Sequence, residues 1–139
     1  MYSYQYPRAA LTVDAIVFTQ KSNETYVLLI QRGQEPFKGK WALPGGFVNM
    51  DETLEEACKR ELLEETGLEL VAMKQFKAFD AIHRDPRHRT ISVVFSAEIN
   101  DTKNVAGGDD AARADWFPVT DLPQLAFDHA QILSEFFKI

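Results

Sequence analysis

Cysteine is nearly missing from this chain. Cys58 stands alone among 139 residues, which excludes an internal disulfide and fits a reducing cytosol. No apolar run approaches the roughly 18 residues that a membrane-spanning helix needs, so no membrane partner is expected. The opening Met1-Tyr-Ser-Tyr-Gln-Tyr-Pro7 has neither the charged nor the apolar segment of a secretion signal, and the expected location is cytoplasmic. Positive charge is short as well. Fifteen Lys and Arg face 21 Asp and Glu, for a net charge of −6, so the chain has no general attraction for nucleic acid or an anionic membrane surface. An anionic small molecule would have to be recruited locally, by metal and by a few arginines. The three histidines, His83, His88 and His129, show no paired metal-ligand spacing, and none is expected to be a ligand. Repeats and low-complexity segments are absent. The length points to one domain, residues 1–139.

Apolar residues make up 45% of the chain, enough for a real core. Ala9 to Phe18 is apolar and β-branched and reads as a strand. Tyr26 to Gln31 is a second strand, whose unbroken apolar run marks it as buried. Arg32 to Lys40 is a loop, and Trp41 to Phe47 leads into a helix. Glu69 to Ile82 reads as a strand or a bent strand pair, Arg84 to Arg89 as a turn around Asp85-Pro86, and Thr90 to Ile99 as another strand. Asn100 to Ala112 is a polar loop, Ala114 to Val119 a short strand, and Asp128 to Phe137 has the apolar spacing of a final helix. Strands before and after a central helix, with a second helix at the end, predict an α/β arrangement with a mixed sheet between helices.

The central helix is the informative element. Thr53 followed by Glu56 forms a capping box, so the helix should start near Leu54, and Gly67 suits the left-handed residue that closes it. At about 100° per residue, Leu54, Ala57, Cys58 and Leu62 form one apolar stripe. Glu61 and Glu65 fall inside that stripe, Glu64 falls on its edge, and Leu63 points away. A Glu-rich helix ordinarily presents a solvated acidic face, but that reading does not explain acids that share a face with leucine and alanine. Burying a carboxylate costs several kcal/mol unless a cation pairs with it. Three clustered acids exceed what one basic side chain neutralises, and a divalent ion with oxygen ligands is the economical solution.

Gly46, five residues, Glu52, seven residues, then Arg60-Glu61-Leu62-Leu63-Glu64-Glu65-Thr66-Gly67-Leu68 resembles a complete Nudix box, with every fixed position filled. The resemblance implies the α/β/α sandwich of that family and a hydrolase that attacks a nucleoside diphosphate linkage with water and Mg²⁺, with Mn²⁺ as the alternative ion. It implies Glu61 and Glu65 as main metal ligands, with Glu64 close by and the backbone carbonyl of Gly45 as a further ligand. Glu52 and Arg60 then shape the site. Arg60 can hold a carboxylate through a bidentate pair, but Glu56 and Glu64 also lie one turn away, and spacing does not choose among its partners. An additional acid on a distant loop often serves as base in this family, and Asp109 or Asp110 is the candidate here.

Outside the box, the Asp-Pro-Arg and Arg-Thr-Ile-Ser portions of Phe79 to Ser92, together with Gly108-Asp-Asp-Ala111, Trp116-Phe117 and Leu122 to His129, resemble bacterial ADP-ribose pyrophosphatases. The same segments are similar to the Nudix part of transcriptional regulators that sense ADP-ribose. Those regulators add a winged-helix DNA-binding part, and none is expected beyond Ile139. The resemblance implies ADP-ribose as substrate, cleaved to AMP and ribose 5-phosphate. Arg84, Arg87 and Arg89 are candidates for binding phosphate or ribose, since guanidinium forks match phosphate geometry. Arg32 is a further phosphate candidate, and Trp41, Phe79 and Phe117 are candidates for stacking on adenine. The partner expected is a small nucleotide, with a homodimer by analogy to family members. Rival readings are a nucleoside triphosphate pyrophosphatase and a module that senses ADP-ribose without turning it over.

Overall fold

The computed structural model describes residues 1–103, 105–108 and 111–139. The chain runs β1 (Ala10–Lys21), β2 (Glu24–Arg32), β3 (Trp41–Ala42), β4 (Gly45–Phe47), α1 (Leu54–Thr66), β5 (Lys74–Phe79), β6 (Thr90–Glu98), β7 (Ala111–Pro118) and α2 (His129–Phe137). The apolar, β-branched run of β1 makes it the central strand, buried on both faces. β1 lies parallel to β6 from Ala10 to Phe18 and antiparallel to β2 and β4, so the sheet is mixed. β5 forms the outer edge beyond β6.

Strand alternation sorts β1 between two layers. Val13, Ala15 and Val17 pack with Ala57, Cys58 and Leu62 of α1, together with Val93 and Phe95 of β6. Ile16 packs on the opposite face with Val27, Leu29, Val94 and the α2 residues Ile132 and Leu133. A helix therefore covers each face of the sheet, as the α/β/α expectation requires. No helix among the described residues is long and apolar enough to cross a membrane.

The strands fork where the site forms. β6 occupies one edge of β1, so β4, at Thr12 to Asp14, and β2, from Phe18 onward, share the other. Similarly, β7 takes one edge of β2, leaving β1 and β3 on the opposite one. The chain between β3 and β4 thus passes through the gap where β1 and β2 diverge. Trp41 to Phe47, expected only as an approach to the helix, is two short strands that fill this fork. Their pairing is non-local, and residues two or three at a time carry no periodic signal.

The helix ends follow local chemistry. The Thr53 side chain accepts from the Glu56 N–H at 3.2 Å, and the Glu56 carboxylate accepts from the Thr53 N–H at 2.8 Å. Gly67 has φ of 76° and donates its N–H to the Leu63 carbonyl at 2.9 Å, a conformation that disfavours any residue with a Cβ. Burial pushes the Cys58 thiol well above its ordinary range, which makes it a packing group. Glu69 to Ile82 is strand only from Lys74 to Phe79, with a register shift between Gln75 and Lys77. Replacing Thr53 with Ala should cost about 1 kcal/mol by loss of the cap, and Leu62→Ala about 2–5 kcal/mol by opening a core cavity. Urea unfolding of both variants measures the two effects separately.

Candidate active site

A cavity of about 340 Å³ opens at the fork. Its floor comes from Asp14 of β1 and the β3–β4 turn, and one wall from Gly46, Glu61 and Glu65. Arg32, Arg84 and Arg87 also line it, with Phe127 and His129 at the start of α2. Two of the expected acids, Glu61 and Glu65, and three of the expected arginines therefore share one chamber.

Arg60 organises the acidic wall. Its Nη2 and Nε donate to Glu52 at 2.7 and 2.9 Å in a bidentate pair. Its Nη1 donates to Glu61 at 2.8 Å and to Glu64 at 3.2 Å, and Nη2 also reaches the Phe47 carbonyl at 3.1 Å. The structure thus makes the choice that spacing left open: Glu52 holds the fork, and Glu56 is committed to the helix cap. Hydrogen bonding to Arg60 lowers the pKa of Glu52, and that same bond raises Arg60. Glu64 is the most exposed member, at 39% for its side chain.

Glu65 is only 7% exposed and accepts from the Gly45 N–H at 2.8 Å. Burial, with the carboxylates of Glu61 and Asp14 nearby, raises its pKa to about 8, against the lowering influence of the Gly45 N–H and the Arg32 charge. A buried acid this reluctant to ionise is the group a metal ion would relieve. Among the described residues, no three His, Cys, Asp or Glu side chains are gathered into a metal cage, because Arg60 holds Glu61 and Glu64. Mg²⁺ does not need such a cage, since it keeps several waters and takes one or two carboxylates plus substrate phosphates. The space beside Glu61 is also built for close approach: a Cβ on Gly46 would lie 2.5 Å from its carboxylate. The carboxylates of Glu61 and Glu65, both lining the cavity, are hard oxygen donors of the kind a divalent ion takes.

The basic side chains of the cavity are already braced. Arg84 forms a bidentate pair with Asp128 at 2.7 and 2.9 Å. Arg87 is forked onto Asp85 at 2.8 and 3.1 Å. Arg32 donates through Nε to the Pro36 carbonyl at 2.7 Å. Four expected binding residues, Arg89, Phe79, Trp41 and Phe117, lie elsewhere. Arg89 is spent on the carbonyls of Asp80 and Ala81 and does not line the cavity. Phe79 is buried among Ile16, Val94 and Ile132, because its position in β5 turns the ring toward α2. Trp41 packs edge-on against Phe117 at 4.7 Å, on the same apolar side. Asp109 and Asp110 lie outside the described residues.

Sequence reasoning missed Asp14, Phe127 and His129. Asp14 carried a usable signal, an acid in the middle of an otherwise apolar strand. It is 7% exposed, accepts from the Ser92 hydroxyl and lies 3.6 Å from His129 Nε2. His129 accepts the Leu43 N–H on Nδ1 at 3.0 Å. Burial lowers its pKa against the pull of Asp14 and Asp128, so the ring is neutral and carries its proton on Nε2, facing Asp14. No local pattern announces these long-range contacts.

Comparison with known proteins identifies the architecture. A profile described as NUDIX domain matches residues 8–137. An ADP-ribose pyrophosphatase of Methanocaldococcus jannaschii is 42% identical over 133 residues, covering 96% of this chain and 76% of that protein. The NUDIX domain of Shewanella oneidensis NrtR, solved with ADP ribose, superposes with a TM-score of 0.89 at 32% identity, over 96% of this chain and 89% of that one. A bifunctional NMN adenylyltransferase/ADP ribose pyrophosphatase from Francisella tularensis, complexed with AMP and a Mn ion, gives 0.86 at 32% identity, over 97% of this chain and 43% of that one.

The raised Glu65 pKa fixes the sign of a pH effect. The unfolded carboxyl ionises near 4.5, while the folded one does so at about 8. Between those values the folded state binds the extra proton, so metal-free protein should lose stability as pH rises through this window. Thermal melts in chelator from pH 5 to 8 should show that fall. Glu65→Gln should flatten it, and added Mn²⁺ should oppose it at the alkaline end.

Proposed function

This chain belongs to the Nudix hydrolase family, and on that premise we propose that it cleaves ADP-ribose to AMP and ribose 5-phosphate with Mg²⁺, Mn²⁺ serving in its place. The observation that carries this reading is the polarity of one cavity. The acids Glu61 and Glu65 and the arginines Arg32, Arg84 and Arg87 line the same cavity. A diphosphate ester needs both, cations toward its charge and an acid-held ion at its phosphorus. The similarity to an ADP-ribose pyrophosphatase supports the substrate, and Nudix hydrolases as a family use divalent metals.

The roles follow from the contacts. Glu61, Glu65 and the Gly45 carbonyl hold the ion, with Glu64 at the rim. Bound there, a divalent ion supplies an activated water and screens the phosphate charge. Arg60 and Glu52 keep Glu61 pointed into the cavity and tie α1 to the Phe47 carbonyl. The braced forks of Arg84 and Arg87, with Arg32, receive phosphate and ribose oxygens, and rigid pairing reduces the ordering cost of that grip. Asp110 is our candidate base. Gly108, two residues earlier, abuts the end of α1 so closely that a Cβ would meet the Glu64 carbonyl oxygen at 2.5 Å. A single Nudix domain over residues 1–139 in the cytosol, acting on a small nucleotide, completes the reading.

Purified protein with Mg²⁺ should release AMP and ribose 5-phosphate from ADP-ribose in preference to pyrophosphate from any nucleoside triphosphate. Chromatography of the products decides, and the reverse preference rejects this substrate. Glu65→Gln should lower turnover roughly 10³-fold with the circular dichroism spectrum unchanged. Near-normal turnover in that variant would contradict its role as ligand.

A further inference from the structure

Two adjacent residues at the start of α2, Phe127 and Asp128, depart from what their local positions favour, and the next, His129, lines the same cavity as Phe127. Phe127 has φ of 51°, a left-handed conformation rare for a bulky side chain. Its ring lies under two guanidinium groups, Arg32 at 5.0 Å and Arg87 at 5.7 Å, and meets Phe37 edge-on at 4.8 Å. Asp128 is the N-cap residue, where aspartate ordinarily accepts a helix N–H, yet it makes no capping bond. Its carboxylate is taken by Arg84, whose side chain is 4% exposed. His129 opens the helix as a neutral, buried ring and accepts from the Leu43 N–H. Leu43 lies two residues before Gly45, whose own N–H is fixed on Glu65. The segment is pinned from behind by the Ala126 N–H on the Trp41 carbonyl at 2.8 Å.

Local preference overridden at adjacent positions marks a constraint imposed by the site. We infer that Phe127-Asp128-His129 is a positioning unit for the hydrolysis: Phe127 and Asp128 aim the three arginines at the anionic oxygens of the substrate, and His129 holds the turn that presents the Gly45 carbonyl to the metal ion. None of the three touches the reacting atoms. The ring of Phe127 keeps Arg32 and Arg87 apart while its π-face attracts both. Asp128 holds Arg84 through a bidentate pair. His129 accepts the Leu43 N–H, so the turn is tied to α2. The unit therefore links the arginines to the metal-binding wall through three residues of backbone. This inference rests on the metal-dependent reading above.

The separate duties predict separate losses. Mn²⁺ titration followed by electron paramagnetic resonance, AMP binding by calorimetry at saturating Mn²⁺, and thermal melts read them out. His129→Phe should weaken Mn²⁺ roughly 10–100-fold, the range for groups that orient a ligand. His129→Asn should restore it, since the amide oxygen stands where Nδ1 stood. Phe127→Leu should leave Mn²⁺ affinity at the wild-type value and weaken AMP about tenfold, through misaimed charge-assisted bonds. Phe127→Tyr should restore AMP binding. If His129→Phe does not fold, His129→Gln replaces it, because its acceptor lies one bond farther out and should also lose Mn²⁺. Unchanged Mn²⁺ affinity in the His129→Phe or His129→Gln variant overturns the inference. So do parallel losses of both ligands, in both variants, that merely track melting temperature. A wild-type protein that binds no Mn²⁺ sinks the metal reading as well, whereas Mn²⁺ binding that survives loss of the His129 acceptor sinks the present inference alone.

Discussion

One guanidinium holds the acidic wall together. Arg60 touches Glu52, Glu61, Glu64 and the Phe47 carbonyl, and so connects the loop before α1, the helix itself and β4. It is also insufficient. A single positive charge serves three carboxylates, and Glu65, on the buried side of the helix, is relieved among the described residues by a backbone N–H and the charge of Arg32. The unbalanced remainder is an electrostatic demand directed into the cavity. Filling that demand with a leucine would make a better core and an inert protein.

The fork in the sheet gives this demand a place to act. Because β1 and β2 separate, the Leu43-Pro44-Gly45 turn runs between them with its backbone facing Glu65 and His129. Gly46 then passes Glu61 at a distance no side chain permits. Backbone, acid and arginine approach one another there without an intervening apolar layer. The two larger cores lie on either face of the sheet, and the cavity opens at the gap between the strands.

Much of this was legible from local pattern. The capped limits of α1, its mixed stripe of acids and apolar residues, and the left-handed Gly67 are short-range features, written in spacing and recovered in the structure. Arg84 and Arg87 were visible as charges beside Asp85-Pro86, but their partners Asp128 and Asp85 are settled by tertiary contact. Spacing also could not tell which acid Arg60 would take. Phe79 and Trp41 looked like stacking residues because an aromatic ring near a charged loop has no label for which side of the sheet it faces. A one-residue change in strand parity decides that question, and the register is set by β6 for Phe79 and by β2 for Trp41. His129 was discounted as a lone histidine, while its importance lies in a backbone N–H 86 residues away. Such pairings are carried by the fold, and no window of sequence contains them.

The central pair of strands also bears on how the chain comes into being. β1 lies beside β6, its parallel neighbour, whose first paired residue, Thr90, follows Ala10 about 80 residues later. During synthesis the apolar stretch from Val13 to Phe18 must therefore wait, unpaired on that edge, until most of the protein has emerged. Long-range closure of this kind is slow, and an unshielded greasy strand is open to rescue by chaperones or loss to clumping. The same arrangement that lets two helices clamp one strand makes the ribosome-bound stage the most vulnerable moment in the life of the molecule.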